Sequence, residues 1–326
     1  MRSATYREAV GLALAEELSR DDSVWVLGED IAAAGGVFKA TDGLMSTFGP
    51  ERVRDTPISE QAIVGCALGS AVTGLRPVVE IMFADFAGVC FDGLANQLAK
   101  YRYMSGGQAS VPVTVRLING AGLGFGSQHS QAVENWFLNI PGLKICVPGT
   151  PADLYGLLKA AVRDDDPVLV FEHKGLYGIK GELPDASDDV VTPLGQAEVV
   201  RTGGDVTIVA TQLMRHRAVT AAEDLAQRGI EAEVIDLRTI APLDVPSVIA
   251  SLERTGRLVC AQEGPLAGGW ASSLVTAVIA EAFDLLDAPP AVVCAEATPV
   301  PYSGTLETLW VPDAERIAAA AASACA

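Results

Sequence analysis

The chain is short of histidine and of positive charge. It carries three histidines, and 23 lysines and arginines against 41 aspartates and glutamates, for a formal charge of −18. A field of that sign repels nucleic acid and anionic membranes, which argues against both as partners. Six cysteines, at positions 66, 90, 146, 260, 294 and 325, form no C-x-x-C pair. They read as reduced, buried thiols of a cytoplasmic protein rather than a disulfide framework or a zinc site. Every apolar run meets glycine, proline or a charge before ~18 residues, so no membrane span is expected. The opening residues M-R-S-A-T-Y-R-E-A-V are amphipathic without an apolar secretory core, so no signal peptide is expected. A Walker sequence and a G-x-S-x-G elbow are both missing. Glycines at 120, 122, 124 and 126 make a G-x-G-x-G string, but without the βαβ frame of a dinucleotide fingerprint. Nor does any His/Cys/Asp/Glu cluster show transition-metal spacing.

What is present is an α/β pattern. A chain of 326 residues is long for one core, so two domains are expected. Residues 4–20 have helical periodicity, carried by Tyr6, Ala9, Val10, Leu12, Ala13 and Leu18. Val24–Leu27 reads as a buried strand ending in Gly28-Glu29-Asp30. Further strands are expected at 77–83, 111–117, 143–147 and 167–171. Helices are expected at 84–103, 132–138 and 151–163, the first with Phe86, Val89, Leu94, Leu98 and Tyr101 inward. Strands alternating with helices in this way imply a mostly parallel sheet covered on both faces. Residues 172–197 are irregular and polar, which sets a first domain at 1–180, a linker at 181–197 and a second α/β domain at 198–326. The second domain should hold strands near 205–210, 232–236, 258–261 and 291–294, with helices near 216–228, 244–253, 268–285 and 313–323.

The stretch 52–80 stands apart. After Thr56-Pro57 comes one carboxylate, Glu60, heading a nearly uncharged run with Ala62, Ile63, Ala67, Leu68 and glycines at 65, 69 and 74. This reads as a helix of about four turns, apolar almost all round and so buried. Each glycine weakens a helix by ~1 kcal/mol, so their presence suggests close approach by another backbone or a ligand. Glu60 either complements the helix dipole or serves chemistry, and spacing alone does not separate the two.

Of the histidines, His216 opens a surface helix and reads as structural, and His173 follows a strand end. His129 closes the glycine-rich loop 119–126 beyond a strand's carboxyl end, where active-site groups collect. In the second domain Asp236, Arg238 and Glu263 are strand-end polar residues to which no role attaches. Trp270 and Trp310 read as core.

Several strings together resemble a known family: G-G-V-F-K at 35–39, D-T-P-I-S-E at 55–60, G-L-R-P-V-V-E at 74–80, Y-M-S-G-G-Q at 103–108, Q-H-S-Q at 128–131, P-G-L-K at 141–144 and V-I-D-L-R-T at 234–239. They look like the beta subunits of thiamine-diphosphate-dependent 2-oxo acid dehydrogenases, a group that includes pyruvate, branched-chain and acetoin enzymes. The resemblance runs through nearly the whole chain, in order. It implies a thiamine-diphosphate-binding, pyrimidine-type domain followed by a transketolase C-terminal-like domain.

The resemblance also implies roles. Glu60 would hydrogen-bond the aminopyrimidine ring of the cofactor and favour the tautomer that activates it. Glu29, Ile58 and Phe86 would line the same pocket. His129 would assist acyl transfer to a lipoyl group. A potassium ion is implied at Val113, Ala161, Asp164 and Asp166, in the carboxylate-rich turn A-A-V-R-D-D-D-P, although Asp166 departs from the Asn of some relatives. The G-D-G…N motif that holds magnesium and diphosphate in such enzymes is missing, since F-D-G-L-A-N at 91–96 lacks the first glycine and is too short. That half of the site, with magnesium, is therefore expected on an alpha subunit in an α2β2 heterotetramer, with a lipoyl acyltransferase core as further partner. Acetoin cleavage and a stand-alone carboligase pair are the other readings within the family. A non-catalytic scaffold is disfavoured because Glu60 and His129 are both present.

Overall fold

The computed structural model describes residues 1–326. The chain divides into two compact units, Met1–Asn119 with Phe137–Leu194, and Gly120–Trp136 with Gly195–Ala326. The glycine loop that carries His129 thus belongs to the second unit.

The first unit opens with β1 (Arg2–Thr5), which pairs antiparallel with β8 (Lys180–Leu183). The polar stretch after residue 172 therefore holds a strand that ties down the N-terminal segment. Thr5 caps α1 (Tyr6–Arg20) in a reciprocal box with Glu8. There follow β2 (Val24–Gly28), α2 (Leu44–Phe48), β3 (Val53–Asp55), α3 (Glu60–Ala71), β4 (Arg76–Ile81), α4 (Ala99–Met104), β5 (Thr114–Asn119), β6 (Lys144–Cys146), α5 (Pro151–Arg163) and β7 (Val168–His173). Within this unit the strands run β6-β7-β5-β4-β2-β3, all parallel. Their near-continuous Val, Ile and Leu content is what a sheet covered on both faces requires.

Three expectations need correction. The helix headed by Glu60 spans 12 residues, ending at Ala71, about three turns rather than four. It is not buried all round: Ile63, Val64, Ala67 and Ala71 face inward, while Gln61, Ala62, Gly65, Cys66 and Gly69 are exposed. An added Cβ at Gly65 or Gly69 would meet nothing within 4 Å. The run is uniformly small and apolar, so composition alone could not show that this chain covers only one side of it.

Residues 84–103 are likewise not one helix but a 3-10 turn at Ala84–Gly88, a π segment at Gly93–Leu98 and then α4. Gly93 sits against Val64 of α3, where a Cβ would lie 2.8 Å from Val64 Cγ1. The widened turn lets the two segments pack closely. Val89, expected inward, is exposed. Finally, 132–138 contains only a 3-10 turn at Glu134–Phe137.

The second unit contains β9 (Glu198–Arg201), β10 (Val206–Ala210), α6 (Gln212–Gln227), β11 (Ala232–Asp236), β12 (Thr239–Ala241), α7 (Val245–Thr255), β13 (Leu258–Pro265), α8 (Trp270–Ala282), β14 (Ala291–Ala295), α9 (Gly304–Trp310) and α10 (Ala314–Cys325). Its sheet runs β14-β13-β10-β11-β9, parallel except for β9. Val206, Ile208, Val234 and Val259 pack with Ala218 and Leu225 of α6 and Ile317 of α10 in one core. Trp270 and Trp310 are buried, as expected. All six cysteines are free, but only Cys90, Cys146 and Cys260 are buried; Cys294 and Cys325 are half-buried and Cys66 is exposed.

Candidate active site

The carboxyl ends of parallel strands are where an open α/β sheet offers a crevice. In the first unit three of these ends carry the expected residues. Glu29 directly follows β2. The loop after β3 bends back so that Thr56 N donates to Gly28 O at 2.9 Å, and α3 then begins at Glu60. Asp55 holds the neighbouring loop by accepting from Ala32 N (2.7 Å) and Ala33 N (3.2 Å). Phe86 lies in the 3-10 turn beyond β4, its ring edge-on to Phe83 with centroids 5.7 Å apart.

Glu29 and Glu60 are each only 7% exposed. Glu29 accepts from the Ser59 backbone, next to Glu60. Burial, reinforced by the Glu60 charge, pushes the Glu29 carboxyl above its ordinary range. Two buried oxygens here have no hydrogen-bond partner, Glu29 Oε1 and Thr56 Oγ1. Such atoms are costly unless something bonds them. Cys90, one helical turn past Phe86, is also within the field of Glu60. Its thiol is raised to about 12, chiefly by burial, and is inert. Glu29 and Glu60 thus come together, and Phe86 follows β4, the strand paired with β2. Ile58 is 85% exposed and makes no pocket wall within this chain.

Behind the crevice lies a saturated charge network. Arg116 on β5 is fully buried, forks onto Glu172 at 2.6 and 2.9 Å and reaches Glu80 at 2.5 Å. Tyr177 donates to Glu172 at 2.7 Å. Glu80 is the register partner of Gly28, whose added Cβ would lie 3.1 Å from Glu80 Cβ, so glycine lets strand β2 pass this network. Burial raises the Glu80 carboxyl despite Arg116.

The four residues of the implied potassium site lie in the first unit. Both Asp164 oxygens accept from Lys144 Nζ (2.7 and 2.6 Å), and Asp166 accepts from Arg102 at 2.6 Å. The main chain is also engaged: Val113 O accepts from Val168 N at 3.0 Å, and Ala161 O from Asp164 N at 3.3 Å. The carboxylates are therefore already neutralised by side-chain cations, and no cluster of three or more His, Cys, Asp or Glu groups suited to a metal exists in the chain.

His129 is described within the second unit. Its loop closes where Gly120 N donates to Gln131 O, and His129 N donates to Gly126 O at 3.3 Å. Two buried carboxylates hold the loop. Glu263 on β13 accepts from Ala121 N at 2.7 Å; Glu307 on α9 accepts from Gly122 N at 2.8 Å and Gly124 N at 2.9 Å. Ser127 Oγ donates to Val300 O at 2.6 Å. The sequence offered Glu263 without a role and did not single out Glu307. An acid inside the apolar string T-L-E-T-L-W was the available signal.

Comparison with known proteins agrees with this geometry. Residues 2–180 match the transketolase pyrimidine-binding domain and residues 195–317 the transketolase C-terminal domain. A solved structure described as a split-gene transketolase, an inactive beta4 tetramer, superposes with a TM-score of 0.81 at 26% identity, covering 98% of this chain and 97% of that one. The chain is thus a two-domain α/β protein of the transketolase type. Among curated proteins it is 48% identical to the beta subunit of acetoin:2,6-dichlorophenolindophenol oxidoreductase of Cupriavidus necator, over 98% of this chain and 97% of that one. It is 46% identical to the 2-oxoisovalerate dehydrogenase beta subunit of Bacillus subtilis, over 98% of each. It is 43% identical to the pyruvate dehydrogenase E1 beta subunit of Rhizobium meliloti, over 100% of this chain and 70% of that one. The chain belongs to the family of beta subunits of thiamine-diphosphate-dependent 2-oxo acid and acetoin dehydrogenases, which are oxidoreductases. No helix is long and apolar enough to cross a membrane.

Proposed function

We propose that this chain is the activating half of a shared thiamine site. It works with an alpha subunit, in an α2β2 assembly, to decarboxylate a 2-oxo acid and pass the acyl group to a lipoyl-bearing acyltransferase core. The observation that carries this reading is the pair Glu29–Glu60 at the strand ends, buried, with Glu29 Oε1 and Thr56 Oγ1 unbonded. An aminopyrimidine suits these groups, since it offers N–H donors at its edge and a flat face to an aromatic such as Phe86. Thiamine diphosphate, when bound, supplies the carbon nucleophile and the electron sink for decarboxylation.

The chain's own residues do the rest. The Glu60 carboxylate would hydrogen-bond the pyrimidine ring nitrogen and hold a proton there. Glu29 is biased toward its neutral form by burial and by the Glu60 charge beside it. Phe86 sets the tilt of the ring. Ile58 and the exposed side of α3, with Gly65 and Gly69, are suited to cover by a partner subunit. His129 serves the transfer to the lipoyl group. The alpha subunit would hold magnesium and the diphosphate, a reading that the missing G-D-G…N motif supports. Potassium at Val113, Ala161, Asp164 and Asp166 would have only the second lone pairs of the Val113 and Ala161 carbonyls, because Lys144 and Arg102 already neutralise the carboxylates.

Acetoin is a second substrate reading, favoured by the Cupriavidus relative. One methylene shifts binding by only ~1–3 kcal/mol, so the choice among small substrates is made by few contacts. The test is an assay of pyruvate, 2-oxoisovalerate and acetoin on the chain co-purified with its alpha subunit. The chain alone should be inactive; turnover without a partner would overturn the proposal.

A further inference from the structure

The loop 120–131 has an unusual fastening. Gly122 and Gly124 both have positive φ, 101° and 73°, and both turn their amides toward one carboxylate. Glu307 is 2% exposed and uses one oxygen for each amide. Glycine is needed at both positions, because other residues resist that backbone region. Glu263, 6% exposed, takes the amide just before them. Gly126 packs against the Tyr302 ring, where a Cβ would lie 3.1 Å from Cδ2, and Ser127 is tied to Val300. The loop is thus held along its length from Ala121 to Ser127, and His129 is bonded back to Gly126.

The fastening is electrostatic rather than hydrophobic. Leu123 and Phe125, the loop's large apolar side chains, point outward and are exposed. What orders the backbone is a carboxylate seated among amide donors, an arrangement about twice as strong per bond as a neutral one. No ordinary turn requirement calls for an acid at 307. α9 is a short helix, and its first turn would lose little if Glu307 pointed to solvent.

We infer that Glu307 is a positioning residue for His129: its carboxylate fixes the glycine loop and so sets where the imidazole stands. This rests on the reading that His129 serves acyl transfer. Displacing a reacting group by about 1 Å costs on the order of a hundredfold in rate, so the loop's fastening bears directly on the second half of the reaction.

The test uses the chain co-purified with its alpha subunit. Two rates are measured: dye reduction driven by the 2-oxo acid, and acylation of a lipoylated domain. Glu307→Gln keeps the size of the side chain but turns a donor toward one amide. It should lower the ratio of acylation to dye reduction by about tenfold or more. Combined with His129→Ala it should add nothing further, because a loop without its imidazole has nothing to position. Deuterium uptake by the peptide spanning residues 118–132 should rise in Glu307→Gln independently of any activity. Glu307→Asp, which keeps the charge but cannot bridge both amides, should fall between, and it replaces the Gln variant if that one does not assemble. An unchanged ratio, losses that multiply in the double variant, or unchanged uptake would overturn the inference. Unaltered acylation in His129→Ala alone would instead remove the histidine from the reaction, and the exchange measurement would then decide whether Glu307 holds the loop.

Discussion

Glu29 and Glu60 in the first unit and Glu263 and Glu307 in the second are matched in chemistry and in burial, none more than 7% exposed. They differ in what surrounds their oxygens. Both Glu307 oxygens and one of Glu263 accept backbone amides of a single loop, whereas Glu29 leaves a buried oxygen unbonded and lies beside another carboxylate. A carboxylate supplied with donors by its own fold is a fastening. One left short of donors, with a like charge for a neighbour, is where the proposed cofactor would supply them. Glu80 and Glu172 are a third case, supplied by the buried Arg116 instead of by amides. Burial alone therefore does not mark a functional acid; the balance of donors does.

The comparison can be tested hardest at Glu60. Glu60→Gln should lower decarboxylation by the co-purified pair by at least about a thousandfold, roughly 4 kcal/mol of barrier, with little change in the unfolding midpoint. Near-normal turnover would show that this carboxylate is not a working group. Next is Arg116→Met, which leaves Glu80 and Glu172 buried without their cation. Loss of one partner of such a pair costs about 3–5 kcal/mol, read by denaturant unfolding. A small effect would mean the network relaxes by taking up protons. Glu307→Ala should cost less, about 1–3 kcal/mol for amides stripped of their acceptor, and the loss should appear as loosening of the glycine loop before global unfolding.

The smallest effect belongs to Glu29. Its carboxyl is raised by burial first and by Glu60 second. The folded state therefore binds this proton more tightly than the unfolded state does. Stability from that proton is present below the ordinary carboxylate range and is lost as pH rises through the raised value. Glu29→Gln should thus stabilise the chain at about pH 7 and change nothing near about pH 3. The gain should be smaller than the losses expected at Glu60, Arg116 and Glu307. Equal effects at both pH values would put Glu29 with the fastenings.

Much of the architecture was legible in advance. Helix 151–163 and strand 232–236 have the expected bounds, because each joins clear apolar periodicity to clear end signals such as Thr150 with Pro151. Residues 84–103 misled because their apolar spacing suits a helix, while the break depends on Gly93 meeting Val64, a contact no local pattern announces. Glu60 was visible as a lone acid at the head of an uncharged run. Glu307 was not, because its partners are 183 and 185 residues away.

The amino-acid sequence by itself determined that the chain is two α/β units, that Glu60 heads a helix, that His129 ends a glycine loop, and that no diphosphate motif accompanies them. These are properties of residue order, periodicity and composition, which act over a few turns of chain. Only the tertiary structure decided which acids are satisfied and which are not, and that the outer side of α3 lies uncovered in this chain. Hydrogen-bond partners and buried neighbours are supplied by segments remote in sequence, so the state of a carboxylate is settled by the fold that surrounds it.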